Sequence, residues 1–364
     1  MGGGPAKEHL LIAAPQAIPE GIVARLQKKF PDMDVTSIQV NSTSPKLVDV
    51  PASTFAKVTI LVTFNVLPPD PSKDAPNLDW LHLFSAGSNH IQHHPLYISS
   101  DVTITTSSGI HGPQIAEWAV MTALVQSHKY KQLYELQKEH RWGKTGAGDD
   151  YHNVRDWVGR RIGVLGYGSI GRQVGRVAKA LGMDVIAYTA TPKNTPEKRR
   201  DPGFIVPDTG DKEGEVPSEW YSGLDKGNLH EFLRQDIDWL LVSVPLTKET
   251  THFLGKKEFE ILSQGGKKPA FVTNIARGAI IDQLALIEAL KNGTLAGAAL
   301  DVTDPEPLPE DSELWDLENV IVTPHVSGVG QAYLERAFQV LEVNLERRQK
   351  GERLINVVRR ERGY

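Results

Sequence analysis

Arg161–Thr189 reads RIGVLGYGSIGRQVGRVAKALGMDVIAYT, and its pattern settles the architecture of the second half of the chain. An apolar run, Arg161–Leu165, leads straight into Gly166, Gly168 and Gly171. An amphipathic stretch follows over Ile170–Leu181, and a second apolar run closes the segment at Val185–Thr189. A bare GxGxxG says little, but this one has the strand before it and the helix after it that its mechanism requires. The first glycine permits a tight turn, the second lets backbone approach a pyrophosphate, and the third lets helix and strand pack closely. The N–H groups of Ser169 and Ile170 at the helix start would face the anion. The stretch therefore predicts a dinucleotide-binding unit.

Outward from it, short apolar runs rich in branched residues recur at Leu10–Ala14, Val58–Val66, Trp80–Phe84, Val102–Thr106, Trp239–Val244, Ala270–Ile275, Ala296–Val302 and Val320–Thr323. Helical periodicity fills many gaps, as at Ile22–Phe30, Asn228–Arg234 and Gln283–Lys291. Strand and helix alternate, and nearly continuous apolar runs suit strands covered on both faces, so the class is α/β with parallel sheets. A long helical pattern over Pro113–Trp142, followed by the glycine-rich Gly143–Asp150, divides the chain. The last helical stretch, Gln331–Lys350, follows the final strand and can cross back to the first domain. The expected division is a discontinuous domain over 1–112 and 331–364, and a dinucleotide-binding domain over 113–330. Pro192–Trp220 is dense in Pro, Gly and charge and too long for an ordinary connection; it reads as a surface insertion of about 192–220, long enough to serve as a lid.

Composition narrows the function. The chain has 364 residues, 40% hydrophobic and 23% charged, with a formal net charge of −5, so it has core material but no basic surplus for nucleic acid or an anionic membrane surface. The absence of Cys removes thiol nucleophiles, disulfides and Cys-type zinc sites, and agrees with a reducing compartment. The longest apolar stretches, such as Val58–Leu67, fall far short of the roughly 20 residues of a spanning helix. The opening MGGGPAKEHL has no basic-then-apolar signal pattern, and Ala6 stands where a myristoylation motif wants Ser or Thr; a cytoplasmic protein is expected.

The end of the second fingerprint strand selects the dinucleotide. NAD sites usually carry Asp or Glu there for the ribose hydroxyls. Here the position is Thr189, followed by Ala190, with Lys193 close behind and Lys198, Arg199 and Arg200 further on. With no carboxylate to repel a 2′-phosphate, NADP(H) is the expected preference and NAD(H) remains usable.

Three later segments each place a polar residue beside the C-terminal end of a strand, the edge where open α/β sheets hold ligands. They are FVTNIARGAIID with Arg277, ALDVTDPEPL with Glu306 and VIVTPHVSG with His325. Alone, these read as an ion pair, a loop charge and a strand-end histidine; together, in order, downstream of a nucleotide fold, they read as an active site. The combination of GYGSIG, SVPLTKET, NIARGAIID, LDVTDPEPL and TPHVSG resembles the D-isomer-specific 2-hydroxyacid dehydrogenase family over roughly Arg161–Gly328. LFSAGSNHI and SGIHGPQIAEWAV resemble its substrate loop and the crossing into its cofactor domain. The first eighty residues match only in strand and helix order.

The resemblance implies two doubly wound parallel-sheet domains, a Rossmann cofactor domain and a flavodoxin-like substrate domain, with a cleft between them. It also implies reduction of a small 2-oxoacid, such as glyoxylate or hydroxypyruvate, to the D-2-hydroxyacid. His325 would be the proton donor to the developing alkoxide. Glu306 would fix its tautomer and favour the imidazolium. Arg277 would bridge substrate carboxylate and carbonyl in a planar two-point grip. The backbone amides of Ala86, Gly87 and Ser88 would bind the substrate carboxylate. Asp301 would hydrogen-bond the nicotinamide carboxamide, and Pro245 would line the nicotinamide pocket. Substrate walls would come from positions such as Phe84, Ile110 and Tyr333. Relatives that oxidise formate carry Gln where Glu306 lies, which argues against that chemistry here. A homodimer joined through the long helix of 113–142 is expected on the same ground. A second reading stays open, a nucleotide-sensing binding protein like the corepressors built on this scaffold, although no interaction tail or basic patch supports it. His90, His93 and His94 have helical spacing, but no carboxylate or cysteine motif accompanies them and Pro95 follows, so no metal is expected.

Overall fold

The structure, a computed structural model, describes residues 7–40, 50, 52–143, 151, 154–264 and 268–361. It separates into two compact units, Met1–Ile110 with Gln331–Tyr364, and His111–Gly330. The glycine-rich stretch that divides the sequence lies, from residue 144 to 150, outside the described residues.

In the first unit, β1 (Glu8–Ala14), β2 (Met33–Gln39), β3 (Ile60–Thr63), β4 (Trp80–Leu83) and β5 (Thr103–Thr106) form one sheet in the order β2-β1-β3-β4-β5. All pairs are parallel. Leu10–Ala14 and Ile60–Val62 are wholly buried, as apolar runs are when both faces of a sheet are covered. Helix α1 (Glu20–Lys29) turns Ile22 and Leu26, one turn apart, inward. Glu20 in its first turn and Lys28 and Lys29 in its last complement the helix dipole. Three single turns follow, α2 (Ala52–Phe55), α3 (Pro71–Asp74) and α4 (Pro95–Ile98). The chain returns to this unit as α12 (Tyr333–Gln349), burying Phe338, Leu341 and Leu345. Glu342 of α12 accepts from Arg25 (2.8 Å) and Lys29 (2.9 Å) of α1. Beyond α12, Val358 donates its N–H to the Ile104 carbonyl (2.8 Å) and Asn356 its amide to that of Thr106 (3.1 Å).

In the second unit, seven parallel strands take the order β12-β11-β10-β9-β6-β7-β8. They are β6 (Arg161–Leu165), β7 (Asp184–Thr189), β8 (Glu219–Ser222), β9 (Trp239–Val242), β10 (Phe271–Asn274), β11 (Gly297–Leu300) and β12 (Val320–Val322). The helices are α5 (Gly112–Ser127), α6 (Tyr130–Lys138), α7 (Ser169–Ala180), α8 (Pro196–Arg199), α9 (Lys226–Leu233), α10 (Lys256–Leu262) and α11 (Gln283–Lys291). Strand order reverses between β6 and β9, the crevice where doubly wound sheets take dinucleotides.

Four features differ from the sequence expectation. β2 and β8 were not expected as strands; both are edge strands, half exposed, and so lack a continuous apolar run. Several expected strands overrun, as at Val58–Val66, because Val66 is buried from a loop after β3 has ended. The long helix expected over Pro113–Trp142 is two helices: Lys129 takes a left-handed backbone (φ 56°) between α5 and α6. The segment 192–220 is bound down rather than poised as a lid. Arg172 of α7, 4% exposed, donates its guanidinium to the carbonyls of Asp211 and Arg199. Tyr167 donates its hydroxyl to the Asp211 carboxylate (2.9 Å), which also accepts the N–H groups of Gly214, Glu215 and Val216.

Candidate active site

The C-terminal ends of five adjacent strands carry the residues singled out in the second unit. His325 follows β12, Asp301 and Glu306 follow β11, Arg277 follows β10, Pro245 follows β9, and Gly166–Gly171 follow β6. Strand order therefore lines them along one edge.

His325 and Glu306 are hydrogen-bonded, Nδ1 to Oε1, at 2.6 Å. Their side chains are 46% and 41% exposed, so solutes can reach them. Because Glu306 occupies Nδ1, Nε2 is the nitrogen left to exchange a proton with a ligand. His325 takes a left-handed backbone (φ 55°), uncommon without glycine, and its N–H donates to the Asp301 carbonyl (2.9 Å). Asp301, 1% exposed, holds that turn with both carboxylate oxygens. One accepts Thr323 Oγ1 (2.6 Å) and the Val326 N–H (2.9 Å); the other accepts the Ser327 N–H (2.9 Å) and the Ser327 hydroxyl. Four donors fill an ionised carboxylate's acceptor sites. These bonds tie the turn on both sides of His325 to the Asp301 side chain.

Arg277 is half-buried. Burial pushes its pKa below the ordinary guanidinium range, and the nearby Glu306 charge opposes this. Its Nη1 donates to the Ala276 carbonyl (2.6 Å). The next residue has to be glycine, since a Cβ on Gly278 would come within 1.9 Å of the Thr303 carbonyl oxygen. That close approach brings the Arg277 turn against the loop that carries Glu306.

The dinucleotide turn fits its expected ligand. Gly168, the N-cap of α7, is exposed, and a Cβ there would meet nothing within 4 Å, so the space above it is open. A Cβ on Gly171 would come within 2.2 Å of the Gly166 carbonyl, which is the close helix-to-strand packing the motif requires. The first N–H groups of α7, including those of Ser169 and Ile170, have no partner within the helix and can take an anion. At the end of β7, Thr189 donates Oγ1 to the Thr191 carbonyl (2.8 Å), and Ala190 is exposed. Lys193 is half-buried; burial, with Arg172 and Lys198 nearby and Asp201 opposing them, lowers its pKa. Among the other cations, Lys198 meets Asn194 (3.2 Å), Arg200 pairs with Glu213, and Arg199 lies over the Trp220 ring.

In the first unit, Ala86, Gly87 and Ser88 form the turn after β4, exposed, half-buried and buried respectively. Neither the Ala86 nor the Gly87 N–H donates to a described residue. The turn rests on a buried network. Trp80 Nε1 donates to Thr105 Oγ1 (2.8 Å), Thr105 Oγ1 meets His82 Nδ1 (2.8 Å), and His82 Nε2 meets Ser107 Oγ (3.2 Å). Ser107 Oγ donates onward to the Leu83 carbonyl (3.0 Å). These bonds are mutually satisfied when His82 is neutral with its proton on Nε2, and burial pushes its pKa down to about 3. The Ser107 N–H then holds the Ser85 carbonyl (3.0 Å). The neighbouring histidines are also engaged in local structure: His90 Nε2 bonds the Phe64 carbonyl (2.7 Å), and His94 Nδ1 accepts the Leu96 N–H as a cap for α4. Among the described residues, no group of three or more His, Asp or Glu side chains is placed to hold a metal ion. Of the expected substrate walls, Phe84 and Ile110 are wholly buried and Tyr333 is half-buried. Phe64, which the sequence offered only as part of an apolar run, packs against Phe84 at 5.1 Å.

The chain matches the family model described as D-isomer specific 2-hydroxyacid dehydrogenase, NAD binding domain, over residues 120–205 and 205–327. It is 31% identical over 268 residues to a glyoxylate reductase of Thermococcus gammatolerans, covering 70% of this chain and 71% of that one. It is 29% identical over 293 residues to that of Thermococcus litoralis, covering 79% of each. Among solved structures, it resembles a D-isomer specific 2-hydroxyacid dehydrogenase from Xanthobacter autotrophicus Py2 in complex with NADPH and MES, with a TM-score of 0.73, 26% identity, and coverage of 99% and 100% of the two chains. It also resembles an NADPH-dependent glyoxylate/hydroxypyruvate reductase from Sinorhizobium meliloti in complex with NADP and sulfate, with a TM-score of 0.72, 25% identity, and coverage of 98% and 100%. No helix among the described residues is long and apolar enough to cross a membrane.

Proposed function

Because the chain belongs to the D-isomer specific 2-hydroxyacid dehydrogenase family and is therefore an oxidoreductase, we propose that it reduces a small 2-oxoacid to the D-2-hydroxyacid with NADPH as preferred reductant. Glyoxylate and hydroxypyruvate represent the substrate class. In this reading, His111–Gly330 holds the dinucleotide and the unit of Met1–Ile110 with Gln331–Tyr364 holds the substrate carboxylate. The observation that carries it is the 2.6 Å His325–Glu306 pair on the strand end beside Arg277.

A bound reduced nicotinamide supplies the hydride. As the keto carbon accepts it, negative charge gathers on the carbonyl oxygen, and His325 Nε2 delivers the proton that oxygen needs. Glu306 holds the proton on the other ring nitrogen and fixes the ring's tautomer and orientation. Arg277 grips the carboxylate and polarises the carbonyl. Its partial desolvation strengthens both contacts. The amides of Ala86, Gly87 and Ser88 take the substrate carboxylate, while those of Ser169 and Ile170 take the pyrophosphate over Gly168. Lys193 pairs with a 2′-phosphate, which would offset the burial of its own charge.

The test is NADPH and NADH oxidation with a panel of 2-oxoacids. We expect turnover, with kcat/KM favouring NADPH by about tenfold or more, the value of one good charge pair. Lys193→Ala should narrow that ratio, and His325→Ala should lower kcat about 10²- to 10⁴-fold while NADPH still binds. Tight NADPH binding without turnover of any 2-oxoacid would replace this reading with the nucleotide-sensing one. We also propose a homodimer formed through the α5 face.

A further inference from the structure

Four aromatic rings gather at the C-terminal edge of the first unit's sheet. Phe64 follows β3, Phe84 follows β4, and Tyr333 and Phe338 come from the first two turns of α12. Phe64 lies 5.1 Å from Phe84 and 6.1 Å from Tyr333, and Phe84 lies 5.4 Å from Phe338, centroid to centroid. The inner rings, Phe84 and Phe338, are wholly buried, whereas Phe64 and Tyr333 are only half so. Each outer position is fixed. Tyr333 donates its hydroxyl to the Phe84 carbonyl (2.9 Å), which fixes its ring beside Phe64. The Phe64 carbonyl accepts from His90 Nε2 (2.7 Å), and the Thr63 carbonyl accepts the Phe84 N–H (3.0 Å). Residues 84 and 90 bracket the turn whose Ala86 and Gly87 amides lie unengaged by described residues. An aromatic face is thus tied on both sides to the turn proposed above to seat the substrate carboxylate.

We infer that this protein takes 2-oxoacids whose side chain is an aryl or arylmethyl group in preference to glyoxylate, with Phe64 and Tyr333 forming the wall for that ring. The inference rests on the 2-oxoacid reductase reading above and specifies its substrate. A carboxylate seated on the Ala86–Ser88 turn has the rest of the molecule beside it. Glyoxylate has only a hydrogen in the side-chain position and would leave the face wet; an aryl group covers it and gains offset or edge contacts with both rings. The reaction is the same two-electron reduction. A bound reduced nicotinamide would supply the hydride to the keto carbon and leave oxidised, the C=O π pair would move to oxygen, and His325 would supply the proton that completes the hydroxyl.

The experiment measures kcat/KM for glyoxylate, phenylglyoxylate and phenylpyruvate at saturating NADPH, with the full-length wild-type protein and with Phe64→Ala. At least one aryl substrate is expected to exceed glyoxylate by about tenfold or more, since even one methylene in an apolar pocket is worth roughly 10- to 200-fold. Phe64→Ala is expected to cut the aryl-to-glyoxylate ratio by about tenfold. The wild-type panel decides the preference even if that variant does not fold. Glyoxylate equal to or better than both aryl acids overturns the inference and leaves 2-oxoacid reduction standing. No turnover of any of the three, with NADPH bound, overturns both. An aryl preference that survives intact in folded Phe64→Ala overturns the assignment of the wall to Phe64.

Discussion

A methyl group added at Gly168 would meet no atom within 4 Å, whereas one added at Gly171 would lie 2.2 Å from the Gly166 carbonyl oxygen. Three positions apart in one motif, the two glycines serve different ends, one leaving room for a ligand and the other letting a helix touch a strand. Gly168→Ala should therefore melt within a degree or two of wild type yet bind NADPH about tenfold or more weaker, because the methyl fills the cradle. Gly171→Ala should lose roughly 1–3 kcal/mol of stability, the usual cost of overpacking. Thermal melts beside calorimetric titration with NADPH separate the two; unaltered affinity in Gly168→Ala would mean the pyrophosphate lies elsewhere. Asp301 teaches a related lesson. The family resemblance gives it the nicotinamide carboxamide as partner, and within the chain its oxygens accept from Thr323, Val326 and Ser327. Only coordinates reveal that both flanks of His325 are tied to one carboxylate.

His82 shows what a single strand can impose on stability. Buried on β4 and neutral, with a pKa near 3 against about 6.5 when the chain is unfolded, it binds its proton more readily in the unfolded state across that interval. Unfolding is therefore favoured as pH falls from about 6.5 toward 3, by up to about 1.4 kcal/mol per pH unit. His82→Leu should be less stable at pH 7, since Thr105 loses a partner, but should show a shallower acid slope. Urea unfolding at several values between pH 7 and 4.5 measures both; parallel slopes for variant and wild type would show that His82 is not the group responsible. This network could not be read from the sequence, where His82 is one polar residue inside an apolar run. The central strands were legible because burial on both faces writes itself as unbroken Val, Ile and Leu. The edge strands β2 and β8 were not, because half-exposed residues carry mixed polarity. The α5–α6 break at Lys129 left no mark, since neither Gly nor Pro stands there. Arg277, Glu306 and His325 were legible through motif order, whereas Phe64 became visible only when β3 ended one residue before it.

At the scale of the whole molecule, the proposed dimer can be tested at one open groove. A groove of 680 Å³ between α5, α6 and α7 is lined by Ala116, Val120, Met121, Leu124, Tyr130 and Val177, and Met121 and Tyr130 remain 52% and 53% exposed. Apolar side chains left this open are typical of surfaces that meet another protein. Met121→Asp should shift the protein from dimer to monomer in sedimentation velocity; a monomeric wild type, or a variant that stays dimeric, would move the contact elsewhere. The chain path has a different consequence. Arg25 and Lys29 grip Glu342, Phe84 leans on Phe338, and the Ile104 and Thr106 carbonyls accept from Val358 and Asn356. Those partners are encoded 250 to 317 residues downstream of the groups they meet. During synthesis the N-terminal sheet emerges from the ribosome first but receives its closing helix last, after every strand of the nucleotide-binding unit has been made. The part of the protein translated earliest is thus the one that must stay unfinished longest.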